Sequence, residues 1–423
     1  MSREALLAAL AADAAPWADF DAICGFGGRL QGTPGCDAAF GFVAGRLAAL
    51  GPVRDAPTRY HGWTLDRLRV SLPDGAEIPA LPLVGSVSTP DDGIELEVLD
   101  LGRGTPADVA AAGEAVRGRA VLLAHEYVFA SGTIHRRVKL RAAAEAGAAA
   151  VVMVHPSGPV SGGANLCPVP GFGVGAKGAR RMLAAGRARF QLQGRAGVAT
   201  TRNLILALPG GGPGHVVLSA HLDGHSPGES AIDNASGVAG VLALARAAKP
   251  LLAEARRGLM VCIFGAEEWS LSGSRAWLAG LPPAEIGAMA ANVNLDSIVG
   301  SPRLTALTSA YPGLAAEVLR SGAEVAVRDI LSVSSDHANF AARGVPALRV
   351  IAGFEEPESR VSQILTGADT RALTSEAELR EATRRTGVLL WHLLALAPEA
   401  AARMREGAAD PGPAIRALSP LPA

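Results

Sequence analysis

Residues 214–248 read "GHVVLSAHLDGHSPGESAIDNASGVAGVLALARAA", and this stretch decides the fold class. It begins as a short apolar run, passes through a polar and Gly-rich segment, and ends in small apolar residues at helical spacing, which predicts a strand, a loop and a helix. Further apolar strands follow at "RGLMVCIFGAEE" (257–268), "AANVNLDSIVG" (290–300) and "VPALRVIAGF" (345–354). The chain therefore predicts an α/β fold, with a mixed central sheet and helices on both faces.

The pattern of predicted strands and helices changes between about residues 76 and 197. There "RGRAVLLAHE" predicts a strand, "RRVKLRAAAEAGA" an amphipathic helix and "AAVVMVHP" a second strand, which together form a βαβ-like unit. We therefore predict that a smaller domain interrupts the main one. The predicted segments are 1–75 and 198–400 for the main domain, 76–197 for the insert and 401–423 for an irregular, proline-rich tail.

Composition excludes several classes of protein. The 423 residues predict two or three domains, and 39 basic against 40 acidic residues give a net charge of −1. Without a polybasic stretch, nucleic acid and anionic membranes are poor partners. The N-terminus lacks the pattern of a secretory signal, no run of about 18 apolar residues occurs, and the four cysteines are scattered. These features predict a cytoplasmic, reduced protein with no membrane span, and they leave homo-oligomerisation open.

Side chains that can bind metals follow four of the predicted strands. Each has an ordinary interpretation when it is taken alone: a carboxylate can cap a helix, a pair of glutamates can form a solvated corner, and a histidine can be structural. Their recurrence at one edge of one sheet favours a metal site, because the carboxyl ends of parallel strands meet there. The candidates are His221, Asp223, His225, Asp233, Glu267, Glu268, Asp296, Asp336 and His337.

The chemistry of this set suits zinc. Histidine nitrogen and carboxylate oxygen are the usual ligands of catalytic Zn²⁺, and one carboxylate can bridge two ions about 3.5–4 Å apart. Glu267 and Glu268 are adjacent, so their side chains cannot share a face of a strand or a helix. One of them can bind metal while the other acts as a general base on water.

The motifs "SAHLDGHSPGESAIDNASGVA", "FGAEEWSLSGSRAWL", "NLDSIV" and "SSDHANFAARGVPAL" resemble those of the di-zinc aminopeptidase family, which includes bacterial leucyl aminopeptidases and glutamate carboxypeptidase II. The resemblance covers about residues 198–395, and the insert is similar to a protease-associated domain. It implies that Asp233 bridges two zinc ions and precedes a cis peptide bond. It further implies that His221 and Asp296 complete one zinc site, that Glu268 serves the other, that Glu267 is the general base, and that Asp223 orients His221.

One position departs from the family pattern. The late "HTxxDT" motif of these enzymes is replaced by "ILTGADTRALTS", so Leu365 stands where the second zinc site would take its histidine, although Thr366, Asp369 and Thr370 fit. Leucine cannot bind a metal. We expect either that His225 or His337 replaces the missing ligand, giving two zinc ions of unequal affinity, or that the protein binds a single ion.

The resemblance implies a metallo-exopeptidase, by default an aminopeptidase acting on peptide or aminoacyl substrates. Three alternatives remain open at this point. One is another amide chemistry, such as deacylation or glutaminyl cyclisation. A second is a carboxypeptidase, for which Arg349 and Arg360 are candidates to bind a substrate carboxylate. The third is a non-catalytic binding protein, against which the retention of Glu267 beside Glu268 argues.

Overall fold

The structure is a computed structural model that describes residues 2–408. Within that range the strands are β1 (Val53–Asp55), β2 (Thr58–Ser71), β3 (Ala80–Pro82), β4 (Ile94–Asp100), β5 (Ala120–Ala124), β6 (Ala150–His155), β7 (Gly171–Gly175), β8 (Arg187–Thr201), β9 (Leu204–Leu208), β10 (His215–His221), β11 (Gly258–Phe264), β12 (Met289–Leu295), β13 (Leu304–Leu307), β14 (Ala326–Arg328) and β15 (Ala347–Ala352). The α-helices are α1 (Ser2–Ala12), α2 (Ala15–Cys24), α3 (Pro34–Ala48), α4 (Pro106–Ala112), α5 (Arg136–Glu145), α6 (Ala176–Ala185), α7 (Ser236–Ala248), α8 (Ser272–Ala279), α9 (Pro283–Gly287), α10 (Pro312–Ser321), α11 (His337–Ala342), α12 (Glu376–Ala395) and α13 (Pro398–Arg403).

The main domain is built on an eight-stranded mixed sheet in the order β1-β9-β11-β10-β12-β15-β13-β14. Its four central strands, β11, β10, β12 and β15, run parallel to one another. The strands β9 and β13 flank them in the antiparallel sense. The predicted fold class, a mixed sheet with helices on both faces, is confirmed.

Burial explains why the central strands read as continuous apolar runs. Helices cover both faces of the sheet, so neither face of β10 or β15 meets water. The helix α7 packs against α1, α2 and α12 as well as the sheet, and all its residues except Arg246 are buried. The helical stretch Ala231–Glu254 has the length and hydropathy of a membrane span, but 78% of its most apolar window is buried inside the protein, as in a core helix.

The second domain contains a seven-stranded sheet in the order β2-β8-β4-β5-β6-β7-β3. The predicted βαβ unit is present as β5, α5 and β6, with the two strands parallel. The sheet begins at Thr58 rather than near residue 76, because β2 pairs with β8 along its whole length. Half of the residues of β2 are exposed and two more are half-buried, so no apolar pattern marks that strand as part of the second domain.

A long helix, α12, closes the C-terminal part of the main domain. The Ser375 side chain accepts a hydrogen bond from the Glu378 amide at the start of this helix. The predicted irregular tail begins at residue 401, but α13 extends to Arg403. The remainder, from residue 409, lies outside the described residues.

Candidate metal centre

Three parallel strands bring predicted metal ligands and the predicted general base to one edge of the main sheet. His221 is the last residue of β10, Glu267 follows the end of β11 at Phe264, and Asp296 follows the end of β12 at Leu295. All three side chains are buried. One ligand atom from each of them lies within 4.8 Å of the others. Adjacent parallel strands therefore assemble a compact cluster from residues far apart in sequence.

The turn that precedes α7 adds Asp233 to this cluster. The Asp233–Asn234 peptide bond is cis, as the resemblance implied. The side-chain amide of Asn234 donates a hydrogen bond to the Leu295 carbonyl at 2.9 Å, which connects the turn to the end of β12. His221 Nε2 lies 3.2 Å from Asp233 Oδ1 and 3.7 Å from Asp296 Oδ1. One imidazole nitrogen thus faces two carboxylates.

Asp223 explains how two adjacent glutamates can both face the site. Its carboxylate accepts hydrogen bonds from the Glu267 and Glu268 amides, at 3.0 and 3.2 Å, and fixes the turn that carries both side chains. Asp223 is predicted to orient His221, but its carboxylate lies 3.8 Å from His221 Nδ1. The main-chain carbonyl of Asp223 lies closer to the same nitrogen, at 3.0 Å. The carboxylate oxygens are occupied by the two amides.

A second group of predicted ligands contains His225. Its Nε2 lies 2.7 Å from Glu268 Oε2, and its Nδ1 lies 2.9 Å from the hydroxyl oxygen of Ser161. Leu365, at the position of the missing histidine, packs against the cores of both domains, and its carbonyl accepts a hydrogen bond from the Ser161 amide. Of the two histidines that could replace the missing ligand, the structure brings His225 to Glu268.

His337 occupies a different environment. It is the first residue of α11 and is fully buried. Burial, reinforced by the charge of Arg349, lowers the pKa of His337 to about 3. Within residues 2–408, the ion pairs of Glu268 and Asp233 are made by His225 and His221 instead. The preceding Asp336 accepts a hydrogen bond from Ser274, and burial raises its pKa to about 6.

The charge distribution of the cluster favours a bound cation. Burial opposes a positive charge on His221, but the neighbouring carboxylates outweigh it and raise the pKa of His221 well above its ordinary value. Burial also raises the pKa of Glu267 far above its usual range. Glu268 Oε1 is buried and accepts no hydrogen bond from any described residue, and Asp233 Oδ1 is buried beside His221 Nε2, at 3.2 Å, without a well-aligned hydrogen bond. Buried carboxylate oxygens without donors are costly unless they bind a cation, so these residues fit a metal.

Arg29 is a structural part of the site that the sequence did not reveal. Its buried guanidinium donates to main-chain carbonyls on both sides of the loop that carries Asp223 and His225. No sequence motif surrounds Arg29, because the carbonyls that accept most of its hydrogen bonds lie about 200 residues away along the chain. The carbonyls are those of Leu222 (2.8 Å), Glu229 (2.7 Å), Ser230 (2.9 Å) and, within its own segment, Gly27 (3.2 Å).

The two arginines considered for a carboxypeptidase have other partners. Arg349 Nη2 lies 3.0 Å from Asp296 Oδ1, and its guanidinium lies 4.7 Å from the centre of the Phe129 ring. Burial would raise the pKa of Asp296, but Arg349 holds it well below its ordinary value. Arg360 donates to the Leu373 carbonyl at 2.7 Å and does not line the site.

A cleft of about 420 Å³ opens onto the metal cluster. One wall is formed by the main domain and includes Glu267, Glu268 and Asp296. The opposite wall is formed by the second domain. The cleft therefore offers a route to the cluster between the two domains. The second-domain residues of that wall include Trp63, Phe129, Arg136 and Leu166.

Comparison with known proteins agrees with this geometry. Residues 203–385 match the sequence profile of Peptidase family M28. The fold is similar to a zinc aminopeptidase from Bacillus subtilis (TM-score 0.72, 20% identity, 89% of this chain and 93% of that one) and to a Peptidase M28 precursor from Shewanella amazonensis (TM-score 0.75, 19% identity, 93% and 96%). At these identities the likeness concerns the fold. Leupeptin-inactivating enzyme 1 from Streptomyces exfoliatus is 38% identical over 105 residues, 25% of this chain and 24% of that protein.

Proposed function

We propose that the protein is a zinc-dependent aminopeptidase that removes N-terminal residues from peptides, because residues 203–385 match the sequence profile of Peptidase family M28. The observation that carries this proposal is the buried cluster of His221, Glu267 and Asp296 at the floor of the interdomain cleft. The second domain, which we propose to be a protease-associated domain, forms the other wall of that cleft.

The proposed ligands fall into two groups that share Asp233. His221 and Asp296 complete the first group, and Glu268 with His225 completes the second. All are histidine nitrogens or carboxylate oxygens, the donor types that zinc takes in hydrolytic enzymes. When bound, zinc supplies Lewis-acid activation of water and of the scissile carbonyl.

We assign Glu267 as the general base. Burial raises its pKa well above that of an ordinary glutamate, so its carboxylate is a stronger proton acceptor than an exposed one. In the proposed reaction, a Glu267 carboxylate oxygen takes a proton from the attacking water. The same group then returns that proton to the leaving amine as the C–N bond breaks, which leaves Glu267 ionised for the next turnover.

The contacts of the arginines support an aminopeptidase over a carboxypeptidase. Arg349 is engaged by Asp296 and Ser334, and Arg360 lies outside the cleft lining. The contacts of Arg349 and the place of Arg360 both weigh against a role for these two arginines in binding a substrate carboxylate. The names of the Bacillus subtilis relative and of the Aneurinibacillus aminopeptidase, which has a TM-score of 0.65 at 22% identity, point the same way.

The test is Glu267→Gln, with Glu285→Gln on α9 as the matched control because Glu285 is exposed and remote from the cluster. Loss of a general base costs about 10²–10⁴ in rate. We expect Glu267→Gln to lose that much activity on aminoacyl p-nitroanilides while it retains the metal content of the wild type, and we expect Glu285→Gln to behave as wild type. Wild-type activity confined to N-blocked substrates would contradict the aminopeptidase assignment. Near-normal turnover by Glu267→Gln would contradict the role of Glu267.

A further inference from the structure

Ser161 is a residue of the second domain that reaches into the metal centre of the main domain. It lies in the loop between β6 and β7 and is 1% exposed. Its hydroxyl oxygen lies 2.9 Å from Nδ1 of His225, which is itself buried. The other ring nitrogen of His225 lies 2.7 Å from Glu268. The imidazole is therefore held at both ends, by a carboxylate of one domain and a hydroxyl of the other.

The position of Ser161 is fixed by main-chain contacts to the segment that contains Leu365. The Ser161 amide donates to the Leu365 carbonyl at 2.8 Å, and Val160 forms a β-bridge with Thr366. Gly173 in β7 allows this path, because a Cβ there would lie 1.8 Å from the Val160 carbonyl oxygen. The segment that has lost the family's histidine thus anchors the serine that contacts His225.

The hydroxyl of Ser161 has the chemistry that a metal-binding histidine needs behind it. A neutral imidazole that offers Nε2 to a metal carries its proton on Nδ1, and that N–H needs an acceptor. A serine oxygen can accept this bond. Partners of this kind fix the tautomer and the orientation of the ring, and their removal costs about 10–100-fold in metal affinity.

We propose that Ser161 is a positioning residue for His225, so that the second metal position is completed across the junction of the two domains. This inference rests on the proposed function, since it assumes that the cluster binds metal. The position that contains His221, Asp233 and Asp296 has no ligand contact with the second domain and does not depend on Ser161.

The experiment measures the two metal-binding constants of the full-length protein by competition with a chromophoric zinc chelator, with metal content checked by elemental analysis. The variants are Ser161→Ala, which removes the hydroxyl, and Ser161→Thr, which retains it. The control is Ser157→Ala, an exposed serine of the same loop. Thermal midpoints of the metal-free proteins report whether each variant folds.

We expect Ser161→Ala to weaken the second equivalent of zinc by about 10–100-fold and to leave the first within about twofold. Ser161→Thr and Ser157→Ala should both retain wild-type constants. An unchanged second constant in Ser161→Ala, or equal weakening of both equivalents, would overturn the inference while the proposed function stood. A wild type that binds one equivalent and hydrolyses peptides would also overturn the inference alone. A wild type that binds no metal would overturn both.

Discussion

Replacing Arg29 with methionine should loosen the loop that carries Asp223 and the proposed metal ligand His225. The substitution keeps an unbranched side chain but removes the donors to Leu222, Glu229 and Ser230, which lie at 2.7–2.9 Å. A hydrogen bond from a charged donor contributes about 1.5–3 kcal/mol, so three contribute about 4.5–9 kcal/mol. The variant also avoids the cost of burying a charge, which offsets several kcal/mol. We therefore expect a net loss of about 3 kcal/mol in the free energy of unfolding.

Urea unfolding followed by circular dichroism measures this loss, and chelator competition measures the accompanying loss of zinc affinity. Arg180→Met is the matched control, because Arg180 is exposed on the second-domain helix α6. Both losses are expected in Arg29→Met and neither in the control. A change below about 1 kcal/mol in Arg29→Met, with unchanged zinc affinity, would show that the carbonyls of the loop do not need the guanidinium, and the argument would be refuted.

Three further predictions follow from described contacts. Alanine at His225 should remove one equivalent of zinc, while alanine at His337 should leave the count unchanged; elemental analysis that found the reverse would exchange their roles. Burial works against the charge of Glu317, but hydrogen bonds from Arg320 and His392 prevail and lower its pKa. Its contribution to stability is therefore present above its ordinary pKa of 4.5 and lost as the pH falls through the lowered value. Glu317→Gln should accordingly flatten the acid side of a plot of thermal midpoint against pH, and an unaltered slope would contradict this. Finally, removing zinc with a chelator should lower the thermal midpoint, since a ligand at 1,000 times its Kd stabilises a protein by about 4 kcal/mol; an unchanged midpoint in calorimetry would contradict metal binding by the folded chain.

The predicted site residues that the structure brings closest together share one property. His221, Glu267 and Asp296 each stand at or just after the end of an apolar run, so a local pattern places them at the edge of a parallel sheet. Neighbouring parallel strands then bring these three residues together, independently of the conformation of the connecting loops. The fold class and the composition of the cluster could therefore be read from the chain.

The features that escaped prediction depend on contacts between distant segments. Arg29 and Ser161 act through main-chain carbonyls or a single hydroxyl, which leave no periodicity in the sequence. The choice between His225 and His337 depends on which ring faces Glu268, and spacing along the chain does not decide it. The start of the second sheet at Thr58, before the predicted boundary near residue 76, escaped for a related reason, since the pairing of β2 with β8 joins two strands more than 100 residues apart.

The way the chain enters and leaves the second domain has a further consequence. The strands β1 and β9 are paired in the main sheet, and the segments that continue from them, β2 and β8, are paired in the other sheet. The chain therefore crosses between domains twice at one place, as two neighbouring strands. A short hairpin turn could replace everything between Thr58 and Thr201 without rerouting any other segment. Such a shortened chain would keep His221, Glu267 and Asp296 but would lose one wall of the cleft and the contact of Ser161 with His225.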